Sequence, residues 1–287
     1  MTAVAIALAL AAAALHGTWN VLIKVSGDPM ETFRRATIVA ALVTTPLTAV
    51  AWLATGRPAL PLAAVGLAAI SAALELAYLF LLSAAYRSGE LSVVYPIARG
   101  SAPLLAVIAG LGLLGERLAP GQLAGVGLLL VGILAVTISQ TSGRATVPAL
   151  LTGVSIAAYT AVDRVGVRLT TPWLYDWVLI ALLATALAIT MSVRSRLQRR
   201  SKSPRAAPAS PVTWRQGAVI GAFMWTGYLL VLIALSIAPL SVVAPVREVA
   251  VVAVAVWGVW KLHERKGAAL KLLGATATLA GVALLAL

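Results

Sequence analysis

The chain has 287 residues, of which 61% are hydrophobic and 11% charged, with a mean hydropathy of +0.99 and no cysteine. An ordinary soluble domain is about one quarter charged, and a soluble core of this size cannot hide so much apolar surface. These values exclude a soluble domain, a disordered chain and a disulfide scaffold. The lack of cysteine also excludes iron–sulfur clusters and thiol catalysis.

The net charge of +13 does not indicate a nucleic-acid partner, because nearly all of the 22 Lys and Arg residues fall in short breaks between apolar runs. This placement is typical of a polytopic membrane protein. A helix needs about 20 apolar residues to cross the hydrocarbon core. The sequence predicts an all-α fold with ten spanning helices: Ala3–Ile23, Ala36–Ala54, Leu62–Ala85, Leu91–Leu114, Gln122–Ile138, Ala149–Leu169, Trp173–Val193, Gly217–Ile237, Leu240–Leu262 and Leu270–Leu287.

The first run lacks a basic n-region and stays apolar to Ile23, so we expect an uncleaved first helix rather than a signal peptide. The connection at residues 194–213 is basic and rich in Ser and Pro, with the sequence RSRLQRRSKSPRAAPASP from Arg194 to Pro211. We expect it to be a mobile loop. It serves either as a topology signal or as a contact with anionic lipid headgroups.

Basic residues also predict the orientation in the membrane. The odd-numbered loops and their flanks hold sixteen Lys and Arg residues, whereas the even-numbered loops hold four. The positive-inside rule therefore places the odd-numbered loops in the cytoplasm and both termini outside.

An internal repeat relates the two halves of the chain. Leu91 to Pro96 reads LSVVYP and Leu240 to Pro245 reads LSVVAP, so five of six positions match at an offset of 149 residues. The sequence predicts two five-helix repeats, at residues 1–143 and 144–287. A unit with an odd number of spans inserts its second copy upside down, which gives an inverted repeat. Such a repeat favours a carrier that works by alternating access, with a purely architectural duplication as the alternative.

The chain resembles the EamA-type transporters of the drug/metabolite transporter superfamily. The resemblance is carried by the five-plus-five repeat, the stretch HGTWN at His16–Asn20, YPIARG at Tyr95–Gly100, and the Gly115-Glu116-Arg117 that closes the fourth helix. It implies a secondary transporter, in most members an exporter of small metabolites, amino acids or drugs. It also implies cytoplasmic termini, in disagreement with the charge count.

Ionisable residues within the apolar runs are the sharpest indication of a site, because each is costly in the bilayer unless it is paired or hydrated. Arg99 and Glu248 each follow a repeat proline by three residues. We expect Arg99, Glu248 and Glu75 to line a central cavity, where a carboxylate would couple transport to protons and Glu248→Gln would abolish proton-driven transport. A permanent structural ion pair is the alternative. Five ionisable residues stand out within the predicted spanning helices: Glu75, Arg99, Asp163, Arg247 and Glu248.

Pro96 and Pro245 each remove an amide donor from a helix, so we expect hinges at the cavity, with a simple packing kink as the alternative. His16 and Asn20 share one helix face, as do Tyr159 and Asp163, and these pairs are predicted to form cavity walls or interhelical hydrogen bonds. Six aromatic residues are predicted to stack on a cationic or planar substrate: Trp19, Tyr78, Tyr95, Tyr159, Trp225 and Tyr228.

Small residues in the last helix of each repeat predict close helix contacts that build the scaffold. They are Gly121, Gly125, Gly132, Gly274, Ala277 and Gly281.

No metal or cofactor site is predicted, and no nucleotide-binding loop is present, so a gradient should drive transport. The expected function is secondary export of small metabolites, amino acids or drugs in a bacterial plasma (inner) membrane, with lipid as a partner and protons as a candidate one. The alternatives are a small-molecule importer or a lipid-carrier flippase on the same scaffold. A membrane-embedded enzyme is a remote alternative, because the sequence lacks HExxH, GxSxG and a cysteine nucleophile.

Overall fold

The computed structural model describes residues 2–26, 28–88, 91–138, 146–200, 212–250 and 268–286, and this part of the chain is helical without strands. The bounds of the helices are α1 Thr2–Lys24, α2 Pro29–Ala54, α3 Leu62–Ser88, α4 Leu91–Ile108, α5 Pro120–Ile138, α6 Thr146–Gly166, α7 Pro172–Arg200, α8 Trp214–Ile237, α9 Leu240–Arg247 and α10 Ala268–Ala286. A π-helical turn, Ala109–Leu113, continues α4.

The predicted polytopic all-α fold is confirmed. Among the described residues, five helices are long and apolar enough by themselves to cross a bilayer, namely α1, α2, α3, α7 and α8. Shorter apolar segments lie within the described parts of α4 with its π-helical turn, α5 and α10. Large apolar side chains on the outer faces are exposed, as Leu42, Leu62 and Leu273 show. Such faces suit lipid rather than water.

Two helices extend by seven residues beyond their predicted bounds. α2 begins at Pro29 rather than Ala36, because Asp28 accepts hydrogen bonds from the amides of Met30 and Glu31 and Pro29 suits the first helical position. α7 continues to Arg200, so residues 194–200 of the predicted mobile loop are helical and that part of the prediction is wrong. Residues 201–211 lie outside the described residues, and Thr213 caps α8 through a capping box with Gln216.

The predicted ninth helix also differs from its expected course. α9 ends at Arg247, two residues after Pro245, and the amide of Glu248 donates to the carbonyl of Pro245 at 3.1 Å. The proline ring removes one amide donor from this short helix, which weakens it at this point. The chain resumes a helical course at residues 249–250, and residues 251–267 lie outside the described residues.

The contacts between helices follow a two-fold pattern. When each helix is replaced by its equivalent in the other repeat, one contact becomes another that is also present. α3 packs on α6 as α8 packs on α1, and α7 packs on α3 as α2 packs on α8. The equivalent helices α2 and α7 pack on each other, as do α4 and α9, and α5 and α10. This pattern is expected when two similar five-helix units face each other across a pseudo-two-fold axis.

The contacts between α5 and α10 show that the two units are inverted. Gly125 faces Gly281, and Gly132, seven residues further along α5, faces Gly274, seven residues earlier in α10. The two helices therefore run antiparallel. Because α5 and α10 occupy the same place in their repeats, equivalent helices cross the bilayer in opposite directions, as the five-plus-five inverted fold requires. The predicted boundary between residues 143 and 144 lies outside the described residues.

The predicted glycine contacts at this interface are confirmed for Gly125, Gly132, Gly274 and Gly281. A Cβ atom on Gly132 would lie 2.5 Å from the carbonyl oxygen of Gly274, so only glycine permits this approach. Gly121 does not take part, since a Cβ atom there would meet nothing within 4 Å.

Candidate functional site

A cavity of about 50 Å³ lies at the centre of the molecule, between the two repeats. A water molecule needs about 10–15 Å³ of such space, so the cavity has room for a few waters and is too small for a metabolite. The cavity is lined by side chains from α1, α2, α3, α6, α7 and α8. The lining residues are His16, Trp19, Thr37, Glu75, Tyr78, Leu79, Tyr159, Asp176, Leu179, Ile180, Leu183, Met224, Trp225 and Tyr228.

Seven of the residues predicted from the sequence line this cavity together. They are His16, Trp19, Glu75, Tyr78, Tyr159, Trp225 and Tyr228. The sequence pattern located them because polar and aromatic side chains recur at helical spacing within otherwise apolar runs. Tyr95, Pro96 and Arg99 lie on α4, but their side chains are outside the described part of the structure.

Asp163 is buried next to the cavity and accepts hydrogen bonds from two tyrosine residues. It accepts a hydrogen bond from the hydroxyl of Tyr175 at 2.8 Å and another from the hydroxyl of Tyr228. Tyr175 reaches Asp163 because Gly166 leaves room for its ring: a Cβ atom there would lie 2.6 Å from the ring's Cζ atom. The two hydroxyl donors satisfy a carboxyl group that would otherwise be costly to bury.

Aromatic rings form one side of the cavity. Tyr159 stands between Tyr78 and Tyr228, with ring centroids 5.9 Å and 6.0 Å apart and both pairs edge-to-face. His16 and Trp19 continue the aromatic surface on α1, with their rings 5.8 Å apart. Such rings offer negative faces to a cation or a planar group.

The helix α1 positions its polar residues through hydrogen bonds within the helix. His16 Nδ1 lies 2.8 Å from the carbonyl oxygen of Ala12, and Asn20 Nδ2 donates to the carbonyl of His16 at 2.8 Å. Both side chains are buried. α8 approaches His16 closely, since a Cβ atom on Gly227 would lie 3.1 Å from His16 Nδ1. The histidine is thus held at the contact between the two repeats.

Comparison with known proteins assigns this architecture to a family. Residues 3–138 match the EamA-like transporter family over the whole of the first repeat's described helices.

The first repeat is an EamA-like unit.

Together with the apolar helices, this match supports an integral membrane protein whose first repeat is similar to the EamA-like transporter family. Solved structures show the same fold over the full length: one crystal structure, described only as that of a protein, aligns over 99% of this chain and 98% of its own, with a TM-score of 0.62 and 20% sequence identity. In all, 27 chains of solved structures match significantly. No curated protein matches at a significant level.

The second repeat contributes a buried ion pair. Arg247 and Glu248 are 2% and 1% exposed, and Arg247 Nε lies 3.1 Å from Glu248 Oε1. Neither residue belongs to the cavity lining, although the sequence predicts both as site residues. Glu248 lies against its own neighbour in the chain, and its place at the substrate cavity stays a prediction.

Sequence reasoning missed Asp176 and Tyr175. Asp176 lines the cavity and is 1% exposed, and the indole of Trp225 is within hydrogen-bonding reach of it. It stands only four residues into its apolar run, where a charged residue ordinarily lies at the membrane surface. Its position along the helix could have identified it. Asp176 and Leu183 are two turns apart and share one face of α7, and this face is turned inward.

A second polar cluster joins the repeats at one end of the bundle. Glu116 accepts hydrogen bonds from the amides of Leu240 and Ser241 and from the Ser241 hydroxyl, at 2.7–2.9 Å. Arg164 pairs with Glu116 at 3.2 Å and also donates to the carbonyl of Leu235. Glu116 thus caps α9 and links the end of the first repeat to the second.

Proposed function

We propose that the chain is a secondary active exporter of small metabolites, amino acids or drugs in a bacterial plasma (inner) membrane, working by alternating access. The observation that carries the proposal is the buried polar and aromatic cavity between two inverted repeats. Substrate sites of inverted-repeat carriers lie at such a place, where a rocking of one unit against the other exposes the cavity to either side. We infer transport rather than catalysis.

The small size of the cavity fits one step of this cycle. A space of about 50 Å³ is too narrow for a metabolite, so the cavity must widen during the proposed cycle before it can take a substrate. Polar contacts hold the repeats together at one end, through Glu116, and Arg35 stacks on the ring of Trp214 at the other, 4.9 Å from its centroid. Opening either end requires one of these sets of contacts to separate.

Export can be tested before the substrate is identified. Cells that express the chain are compared with cells that express Leu183→Trp, which fills the cavity, and with a matched control, Leu42→Trp, on an exposed position of α2. Mass spectrometry of medium and cells should show at least one small metabolite enriched several-fold in the medium with the natural chain and Leu42→Trp, but not with Leu183→Trp.

The outcomes separate the alternatives. Depletion of a metabolite from the medium would indicate an importer, and a change confined to lipid-linked compounds would indicate a flippase. Identical profiles for the natural chain and Leu183→Trp, with both proteins present in the membrane, would contradict the proposed transport.

Proton coupling belongs to the same proposal, and Glu75 is its best-placed carboxyl group because it lines the cavity. In proteoliposomes, a pH gradient should drive accumulation of the exported metabolite by the natural chain. Glu75→Gln should lose this accumulation while retaining exchange of labelled for unlabelled metabolite. Glu31→Gln, in an ion pair on the side of α2, is the control, and equal accumulation by all three proteins would contradict the coupling.

A further inference from the structure

Asp176 presents an unsatisfied oxygen to the cavity. Its Oδ2 atom is buried and has no hydrogen-bond partner among the described residues, although the side chain lines the cavity and is 1% exposed. An unpaired carboxylate oxygen is costly at such a depth unless a donor or a cation reaches it. The oxygen therefore indicates a ligand that brings a donor.

The surrounding charges favour a positive donor. Glu75 lines the same cavity as Asp176, and Asp163 lies beside it; both interact electrostatically with Asp176. The nearby Arg247 also acts on Glu75, but its side chain pairs with Glu248. A cation in this low-dielectric cavity compensates the charge of any carboxyl group that ionises, whereas an anion adds to that charge.

A second unsatisfied group restricts the ligand further. The indole N–H of Trp19 is buried without a hydrogen-bond partner among the described residues, and Trp19 lines the same cavity. It calls for an acceptor on the ligand. The acceptor should be neutral, because a carboxylate would be repelled by the three carboxyl groups. Leu179, Ile180 and Leu183 offer apolar surface for the body of the ligand.

We propose that the cavity takes an amphipathic organic amine. Its ammonium group donates to Asp176 Oδ2 among the tyrosine rings, and a neutral oxygen elsewhere on the molecule accepts the N–H of Trp19. This inference rests on the proposed function, since it names the substrate class of the same cavity. It separates amines from amino acids, whose carboxylate the site disfavours. The cavity widens to admit such a molecule when the carrier opens to one side.

A matched set of compounds tests the charge requirement on the purified full-length chain. Tyramine carries an ammonium group and a phenol, tyrosol replaces the ammonium group by a hydroxyl, and tyrosine adds a carboxylate. A ligand raises the unfolding temperature in proportion to its binding. Tyramine should raise it in a concentration-dependent way, whereas tyrosol and tyrosine should have little effect at the same concentrations.

Two variants assign the contacts. In Asp176→Asn the Kd for tyramine should rise about tenfold or more, to a value similar to that for tyrosol. In Trp19→Phe, tyramine should lose its advantage over phenethylamine, which lacks the phenolic oxygen. Asp28→Asn is the control, because Asn also caps a helix and Asp28 is remote from the cavity.

Equal stabilisation by tyramine and tyrosol, or no stabilisation by tyramine, would overturn the inference. This comparison uses the natural chain alone, so it tests the inference even if a variant does not fold. A preference for tyramine that survives Asp176→Asn would also overturn it. Binding in detergent needs no transport, so amine binding without metabolite export contradicts only the proposed function. Export of an anionic metabolite without amine binding contradicts only this inference.

Discussion

At the scale of single residues, the site is a set of buried polar groups that satisfy one another in part. Asp163 receives two tyrosine hydroxyls, whereas Asp176 and Trp19 keep groups directed at the cavity. Satisfied groups stabilise the fold, and unsatisfied ones are available to a ligand. The burial of Asp163 therefore indicates a structural role beside a binding cavity, distinct from the role proposed for Asp176.

Asp163→Asn should lower the free energy of unfolding by about 1–3 kcal/mol, because the neutral amide is a weaker acceptor for the Tyr175 and Tyr228 hydroxyls. Thermal unfolding of the purified chain measures the change. Asp28→Asn makes the same chemical change at a helix cap outside the cavity and should leave stability nearly unchanged. Equal effects of the two substitutions would refute the structural role.

The sequence located much of this site. Polar and aromatic residues at helical spacing marked the inward faces of α1, α6 and α8, because the local chain fixes which residues share a helix face. The residues on these faces that line the cavity are His16, Trp19, Tyr159 and Tyr228. The sequence could not tell which carboxyl groups pair with which donors. Tyr175 reaches Asp163 only because α6 and α7 meet at Gly166, which is a property of tertiary packing.

At the scale of elements, two contacts between the repeats differ in kind. The α5–α10 contact is an interface of glycines, whereas the contact of Glu116 with the start of α9 is polar. Helix association in a bilayer depends on close packing and on interhelical hydrogen bonds. The α5–α10 contact relies on close packing, and the contact at Glu116 relies on hydrogen bonds. The glycine spacing predicted the first contact. The second joins residues 124 positions apart and was invisible in the sequence.

Gly132→Ala should destabilise the chain by about 1–3 kcal/mol, because the new methyl group would overlap the backbone of α10. Gly121→Ala, in the same helix with open space around it, should be neutral or slightly stabilising. Thermal unfolding of the two variants checks the difference. If Gly121→Ala were the more damaging of the two, the α5–α10 interface described here would be incorrect.

Glu116→Gln should lower the free energy of unfolding by about 1.5–3 kcal/mol, since it weakens the charged cap of α9 and leaves Arg164 without its carboxylate. Glu31→Gln removes a carboxylate from a more exposed pair and should cost less than about 1 kcal/mol. Unfolding in detergent measures both. A loss for Glu31→Gln that matches or exceeds that for Glu116→Gln would contradict this ranking.

At the scale of the whole molecule, the antiparallel pairing of equivalent helices turns a sequence repeat into a pair of opposed units. The sequence could predict the number of spans and the inversion, because bilayer thickness sets the length of a span and an odd number of spans forces the inversion. It could not predict how wide the cavity is. In the proposed alternating-access cycle, the cavity's size depends on which of two packings the repeats adopt.

The distribution of basic residues predicts that both termini face outward. A reporter that is active only in the periplasm should give signal when it is fused after Leu287, and a reporter active only in the cytoplasm should not. The reverse result would place the sixteen basic residues of the odd-numbered loops outside and would contradict the orientation.

Alternating access is the central claim, and distances between the repeats at the two ends of the bundle test it most directly. The chain has no cysteine, so spin labels can be attached at introduced cysteines alone. One pair, Arg117→Cys with Arg168→Cys, spans the repeats at the Glu116 end, and a second, Val25→Cys with Arg215→Cys, spans them at the other. Pulsed electron spin resonance should show that substrate or a change of pH widens one pair while the other narrows. Two pairs that widen together, or that never change, would contradict the account.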